Sequence, residues 1–179
     1  MILHISDADL LKMAKGAGFR SASRQGLRGF LRTGEPWGDY NSGLSMVKTD
    51  IRVIYGDTDQ MGFVYYANYL RFFESGRNEY LRAKGAPYRE VEAELGIRLP
   101  VVEANILYKL PARYDDLVRI RCRVREVASR KVVFDYVIEH AENGVPMATA
   151  ETALVCLDRD HRLSRLPANV VTALQPMGE

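Results

Sequence analysis

Two carboxylates one residue apart, Asp57 and Asp59, stand between a strand-like run and a helix-like run, with Thr58 between them and Gly62 just beyond. Arg52 to Tyr55 reads as strand, Gly56 to Asp59 carries turn chemistry, and a helix is expected from about Ala67 to Lys84. The first N–H groups of a helix lack an intrahelical acceptor and carry the positive end of its dipole. A carbonyl resting on them is polarised, and a carboxylate beside it can attack that carbonyl or activate water. Asp59 is the candidate for this work; its alternative is an Asp that only accepts turn or cap N–H bonds. Asp57 is read as a brace for the loop and Thr58 as a hydrogen-bonding turn residue.

The elements that must hold these groups follow from periodicity. In the helix Leu70, Phe73, Arg77, Tyr80, Leu81 and Lys84 recur at steps of three and four, and Tyr69 and Phe72 widen the face. Gly76 in its middle costs about 1 kcal/mol of helix propensity relative to Ala, so close backbone contact is expected there. Gly85 ends the helix, and a short second one is expected from Pro87 to Leu95. After Gly96 the period becomes two: Val102, Ala104, Ile106 and Tyr108 read as the buried side of one strand, and Val118, Ile120, Cys122 and Val124 as that of the next. Arg119, Arg121, Arg123 and Arg125 then fall on an exposed strand face. Strands are also expected over Lys131 to His140 and Met147 to Leu157, with tight turns at Ser129 to Lys131 and Glu142 to Gly144. Strand, long helix and four further strands make an α+β fold with an antiparallel sheet of about five strands.

The run Tyr55-x-Asp57-Thr58-Asp59-x-x-Gly62-x-Val64-Tyr65-x-x-x-Tyr69, followed by Glu74, Arg77 and Glu79, resembles the hotdog-fold acyl-CoA thioesterases of the 4-hydroxybenzoyl-CoA thioesterase superfamily, YbgC and FadM type. A second matching block runs from Tyr108 to Asp116, and the likeness extends over roughly Val47 to Leu166. It implies a long helix wrapped by the sheet and hydrolysis of an acyl-CoA to free acid and coenzyme A. Asp59 matches the family's nucleophile or general base, and the backbone amide of Tyr66 the group facing the thioester oxygen. Several YbgC-type members carry His where this chain has Tyr66. Gly62, Val64 and Tyr65 are implied to line the substrate site. Arg130 and Lys131 resemble the basic segment that meets the coenzyme A phosphates, against the alternative of a solvated hairpin. Glu74 matches the position from which another branch of the superfamily draws its catalytic carboxylate; here it is read as a supporting residue. No histidine falls near Asp59, which disfavours the hotdog dehydratases and hydratases. Neither a cofactor nor a metal is implied, since no residues stand at metal-ligand spacing.

The chain has 179 residues, 47% of them hydrophobic, and a net charge of +2, which suits one compact domain plus an extension. Residues 1 to 45 hold six basic and four acidic residues, leaving nineteen of each sign in the rest. A neutral domain gives no reason to expect nucleic-acid binding. The expected organisation is an extension over 1–45, a hotdog domain over 46–166 and a tail over 167–179. For the extension three readings stand: a poorly ordered tail, a surface-binding or targeting segment bearing Arg20, Arg24, Arg28 and Arg32, or codons upstream of a start at Met46. Cys122 and Cys156 are read as buried structural thiols. No run has the length of a membrane span, so a cytoplasmic enzyme without integral membrane contact is expected. Its partners would be acyl-CoA, or an acyl carrier protein in its place, and further copies of itself in a dimer or tetramer. The competing function is a non-catalytic acyl-CoA-binding or sensing module.

Overall fold

The computed structural model describes residues 46–175, so the readings made for 1–45 lie outside the described residues. Five strands form one antiparallel sheet: β1 (Val47–Arg52), β2 (Val101–Tyr108), β3 (Leu117–Val127), β4 (Lys131–His140) and β5 (Pro146–Val155). Their order across the sheet is β1-β3-β4-β5-β2. Helix α1 (Asn68–Ala83) lies over β1 and β3 and reaches the near side of β4, followed by α2 (Tyr88–Leu95). The expected α+β architecture is therefore present, and the ends of α1, α2, β4 and β5 lie within two residues of expectation.

One face of α1 is buried through Tyr69, Phe72, Phe73, Gly76, Arg77, Tyr80 and Leu81, which join the inward-facing residues of the strands in one core. Gly76 is there because nothing larger fits: a Cβ at that position would lie 2.5 Å from Ile120 Cγ2. Leu70, grouped with this face by periodicity, is exposed instead.

Three further expectations are corrected. The strand expected over Arg52 to Tyr55 lies earlier, at Val47–Arg52, and ends where the Asp57 carboxylate accepts the Ile54 N–H at 3.0 Å and draws Tyr55–Asp57 into a single 3-10 turn. The region 167–179 includes a helix, α3 (Ala168–Leu174), which buries Val170 and Leu174 in the core, so packing continues past Leu166. Finally, β2 is an edge strand, and Val102 (59% exposed) and Ala104 are open to solvent. Alternation identifies which side of a strand is apolar; whether anything covers it depends on the strand's place in the sheet.

On the outer face the arginines of β3 are not loose. Arg119 forms a two-pronged pair with Asp50 of β1, Arg121 meets Glu139 at 3.6 Å, Arg123 meets Asp135 at 3.1 Å, and Arg125 reaches Glu151. Arg123 and Asp135 are buried, which corrects the expectation of a fully exposed face.

Candidate active site

The loop between β1 and α1 is held at both ends by Asp57. Its carboxylate, 3% exposed, takes the Ile54 N–H on one oxygen and the Arg71 guanidinium on the other. Its carbonyl accepts the Tyr65 N–H and the Asn68 side-chain amide, each at 2.9 Å. One residue thus ties the strand exit to the helix start, and Asp57 is the brace the sequence suggested. Thr58 donates to the Tyr55 carbonyl at 2.8 Å, also as expected. Arg71 and Asn68 have no signal in sequence; their part in the clamp appears only once the loop has folded back over the helix.

Asp59 sits within this clamp at the tip of the loop. Its N–H donates to the Phe63 carbonyl and its carbonyl accepts the Gly62 N–H, each at 2.9 Å. Gly62 takes a φ of +76°, a conformation that L side chains rarely adopt and that closes the turn. One carboxylate oxygen accepts the Met61 N–H at 2.8 Å, and the other accepts no hydrogen bond from the described residues. The turn therefore uses half of the carboxylate and leaves half for other work. The Tyr65 phenol is raised above its usual range, first by hydrogen bonding to the Tyr66 side chain and also by the Asp59 carboxylate, which places these three groups in one neighbourhood.

The amides of Tyr66 and Ala67, at the start of α1, donate to no group among the described residues. The Tyr66 ring is 62% exposed and lies 4.5 Å from the Tyr65 ring, which is itself 42% exposed. Val64 is buried, and its N–H donates to the Ala112 carbonyl at 2.8 Å. The segment Tyr108–Asp116, noted in the sequence for its own motif, is the platform under the loop. Val53 and Asp115–Asp116 exchange backbone hydrogen bonds, Ala112 N–H meets the Tyr69 hydroxyl at 3.1 Å, and the Tyr108 hydroxyl donates to the Tyr66 carbonyl at 2.9 Å.

Not every expected residue is gathered here. Leu117, beside β1's end, opens β3 at the loop's end of the sheet, and Arg130 and Lys131 follow the opposite end of β3. Ten residues of strand separate the two ends, about 33 Å. Lys131 lies 3.5 Å from Glu126 across its own hairpin. Glu74 is exposed on α1 and forms no ion pair with Arg77. Among the described residues no cluster could hold a metal, and no helix is long and apolar enough to cross a membrane.

Comparison with known proteins decides the family. The model of the thioesterase-like superfamily matches residues 53–174, which spans the loop, α1 and the whole platform. The chain belongs to the thioesterase-like superfamily. This membership makes it a thioester hydrolase, and its five-stranded sheet with helices is the hotdog fold. Among curated relatives, the "putative acyl-CoA thioesterase YneP" of Bacillus subtilis is 34% identical over 65% of this chain and 83% of its own length. The "acyl-CoA thioester hydrolase YbgC" of Escherichia coli is 33% identical over 64% of this chain and 84% of its own. Among solved structures, a hypothetical protein of Thermus thermophilus is 37% identical, with a TM-score of 0.68 over 71% of this chain and 95% of that one.

Proposed function

We propose that this superfamily member hydrolyses an acyl-CoA thioester to the free acid and coenzyme A, using Asp59 as nucleophile or general base. The observation that carries this reading is the pairing of a half-engaged Asp59 carboxylate with the unpartnered amides of Tyr66 and Ala67 at the start of α1. A thioester carbonyl resting on the Tyr66 amide gains a positive partner as negative charge grows on its oxygen. The free oxygen of Asp59 then attacks the carbonyl carbon, giving a mixed anhydride that water hydrolyses in a second step to the free acid and the regenerated carboxylate, or it takes a proton from the water that attacks the carbonyl directly. Either route expels the thiolate, which leaves readily without a strong acid. Gly62, Val64 and Tyr65 shape the entrance: Gly62 through its turn, Val64 through its anchoring to Ala112, Tyr65 through its exposed ring.

In this reading Arg130 and Lys131 steady the coenzyme A phosphates of a thioester held on a second copy of the chain. The distance along β3 separates them from the loop of their own chain, and the unpaired edge of β2 invites antiparallel addition of another β2. A dimer would thus complete the site. An acyl carrier protein could present the same acyl group through the same thioester.

The test is thiol release from a panel of straight-chain and aromatic acyl-CoAs by wild type and Asp59→Asn. Asparagine keeps the acceptor for the Met61 N–H but not the charge, so the melting temperature should hold while turnover falls by about 10²- to 10⁴-fold. Retained hydrolysis in the variant would remove Asp59 from its role. Acyl-CoA binding without thiol release by wild type would instead mark a sensing module.

A further inference from the structure

Each free amide at the start of α1 lies in a peptide plane, and the direction of the N–H follows from what the carbonyl of the same plane meets. The Tyr65 carbonyl accepts the Asn68 N–H at 2.8 Å, so the first turn of the chain into α1 sets the plane that carries the Tyr66 amide. The plane that carries the Ala67 amide finds no such partner in the helix. The Leu70 N–H, which would reach the Tyr66 carbonyl in a regular helix, closes on the Ala67 carbonyl at 3.1 Å instead. Among the described residues the Tyr66 carbonyl accepts only the Tyr108 hydroxyl, at 2.9 Å.

Tyr108 is well fixed for this contact. It ends β2 opposite Ala148 of β5, and the next two N–H groups, of Lys109 and Leu110, both donate to the Met147 carbonyl, at 2.8 and 3.0 Å. Its ring stands edge-on to that of Tyr69 at 5.2 Å, and Tyr69 is buried with its hydroxyl on the Ala112 N–H. Burial pushes the Tyr108 phenol above its usual range, so the hydroxyl keeps the proton it donates.

A planar trans peptide points its C=O and N–H in opposite directions, so a carbonyl tied to Tyr108 turns the Ala67 N–H away from β2. A carbonyl that accepts a hydrogen bond also polarises its amide and makes the N–H a stronger donor. We propose that Tyr108 is a positioning residue for hydrolysis: its hydroxyl, acting through the Tyr66 carbonyl, holds the Ala67 N–H as a second donor to the thioester oxygen beside the Tyr66 amide. The inference rests on the thioester-hydrolase reading and adds to it a residue on the edge strand, forty-two positions from the amides it serves. A donor fixed in advance acts most on the oxygen as it gains negative charge, so loss of Tyr108 should be felt in the transition state more than in substrate binding.

The experiment measures kcat and KM for hexanoyl-CoA and benzoyl-CoA in wild type and Tyr108→Phe, with thermal melts of both. Infrared spectra are taken of bound phenacyl-CoA, labelled with ¹³C at its ketone; a methylene between carbonyl and sulphur leaves this analogue no thioester to break. In Tyr108→Phe kcat should fall by about tenfold while KM stays within about twofold and the melting temperature holds. The ketone band should drop in frequency on binding to wild type and drop less on binding to the variant. An unchanged kcat, a joint loss of kcat, KM and melting temperature, or equal bands in the two proteins overturns the proposal. Should Tyr108→Phe not fold, hydrogen exchange in wild type decides: phenacyl-CoA should slow exchange of the Ala67 amide, and an unchanged rate overturns the proposal. If wild type hydrolyses neither thioester, the hydrolase reading fails by itself, and the ketone band still tests the donor.

Discussion

The two faces of the sheet treat arginine in opposite ways. On the outer face Arg119, Arg121, Arg123 and Arg125 of β3 each find a carboxylate on β1, β4 or β5. On the inner face Arg77 descends from α1 among aromatic rings and, among the described residues, meets only a hydroxyl. Similar burial thus accompanies very different compensation: Arg123 and Arg77 are both buried, but only Arg123 has an anion beside it. Charges matched within the chain are explained by the fold.

Replacing a buried cation on each face is the sharpest way to break this contrast. Arg123→Met strands Asp135, which is 0% exposed, with only the more distant Arg125 for compensation, and should cost about 3 kcal/mol in a urea titration. Desolvation by burial already raises the Asp135 carboxyl despite its arginines. An Asp with a raised folded pKa is disfavoured as an anion, so the stability deficit of Arg123→Met should shrink as pH falls through that folded value. A deficit that does not depend on pH would separate it from the Asp135 charge.

Next in size is the contact that seats α1 over β3. Gly76→Ala brings a methyl group into Ile120 and should cost about 2 kcal/mol, with Ile120→Val in the same chain recovering part of it. If Gly76→Ala were neutral, the helix would sit less tightly than the inner face requires.

On the solvent-exposed rim Arg119→Gln should change stability by about 0.5 kcal/mol or less, since the Arg119–Asp50 pair is partly exposed. Its sign is set by Asp50, whose carboxyl Arg119 holds below the usual range through their hydrogen bond. A lowered folded pKa contributes stability above the unfolded value of 3.8, and that contribution is lost as pH falls through the folded value. The difference between wild type and Arg119→Gln should therefore vanish in strong acid. The smallest expected effect is that of Arg77→Met, whose stability should match or slightly exceed wild type, because the variant removes a buried charge with no carboxylate to strand. A loss like that of Arg123→Met would show that Arg77 is compensated after all, and the two faces would then be alike.

Much of the fold was legible in the sequence because periodicity reports the chain's own geometry. Steps of three and four from Tyr69 to Leu81 specify a helix with one apolar face, and steps of two after Gly96 specify strands. The motif around Asp59 was legible for a similar reason: a turn built from Gly, Asp and Thr with Gly62 in the left-handed region depends on neighbours in sequence. Local order failed at Tyr55, where Asp57 captures the Ile54 N–H and bends an apparent strand into a turn. It failed again at Leu70, where the three-and-four rhythm runs past the edge of the surface that α1 covers.

Composition and spacing by themselves determined the α+β class, the helix, the strand alternation and the turn around Asp59, all of which depend on residues within a few positions of one another. Tertiary structure alone decided which strand lies at the edge, which arginine meets a carboxylate, and that Tyr108 and Ala112 support a loop more than forty positions earlier. These outcomes turn on distances closed by the folded chain, and electrostatic pairing falls off over a few ångströms, so no rule of spacing can read them in advance.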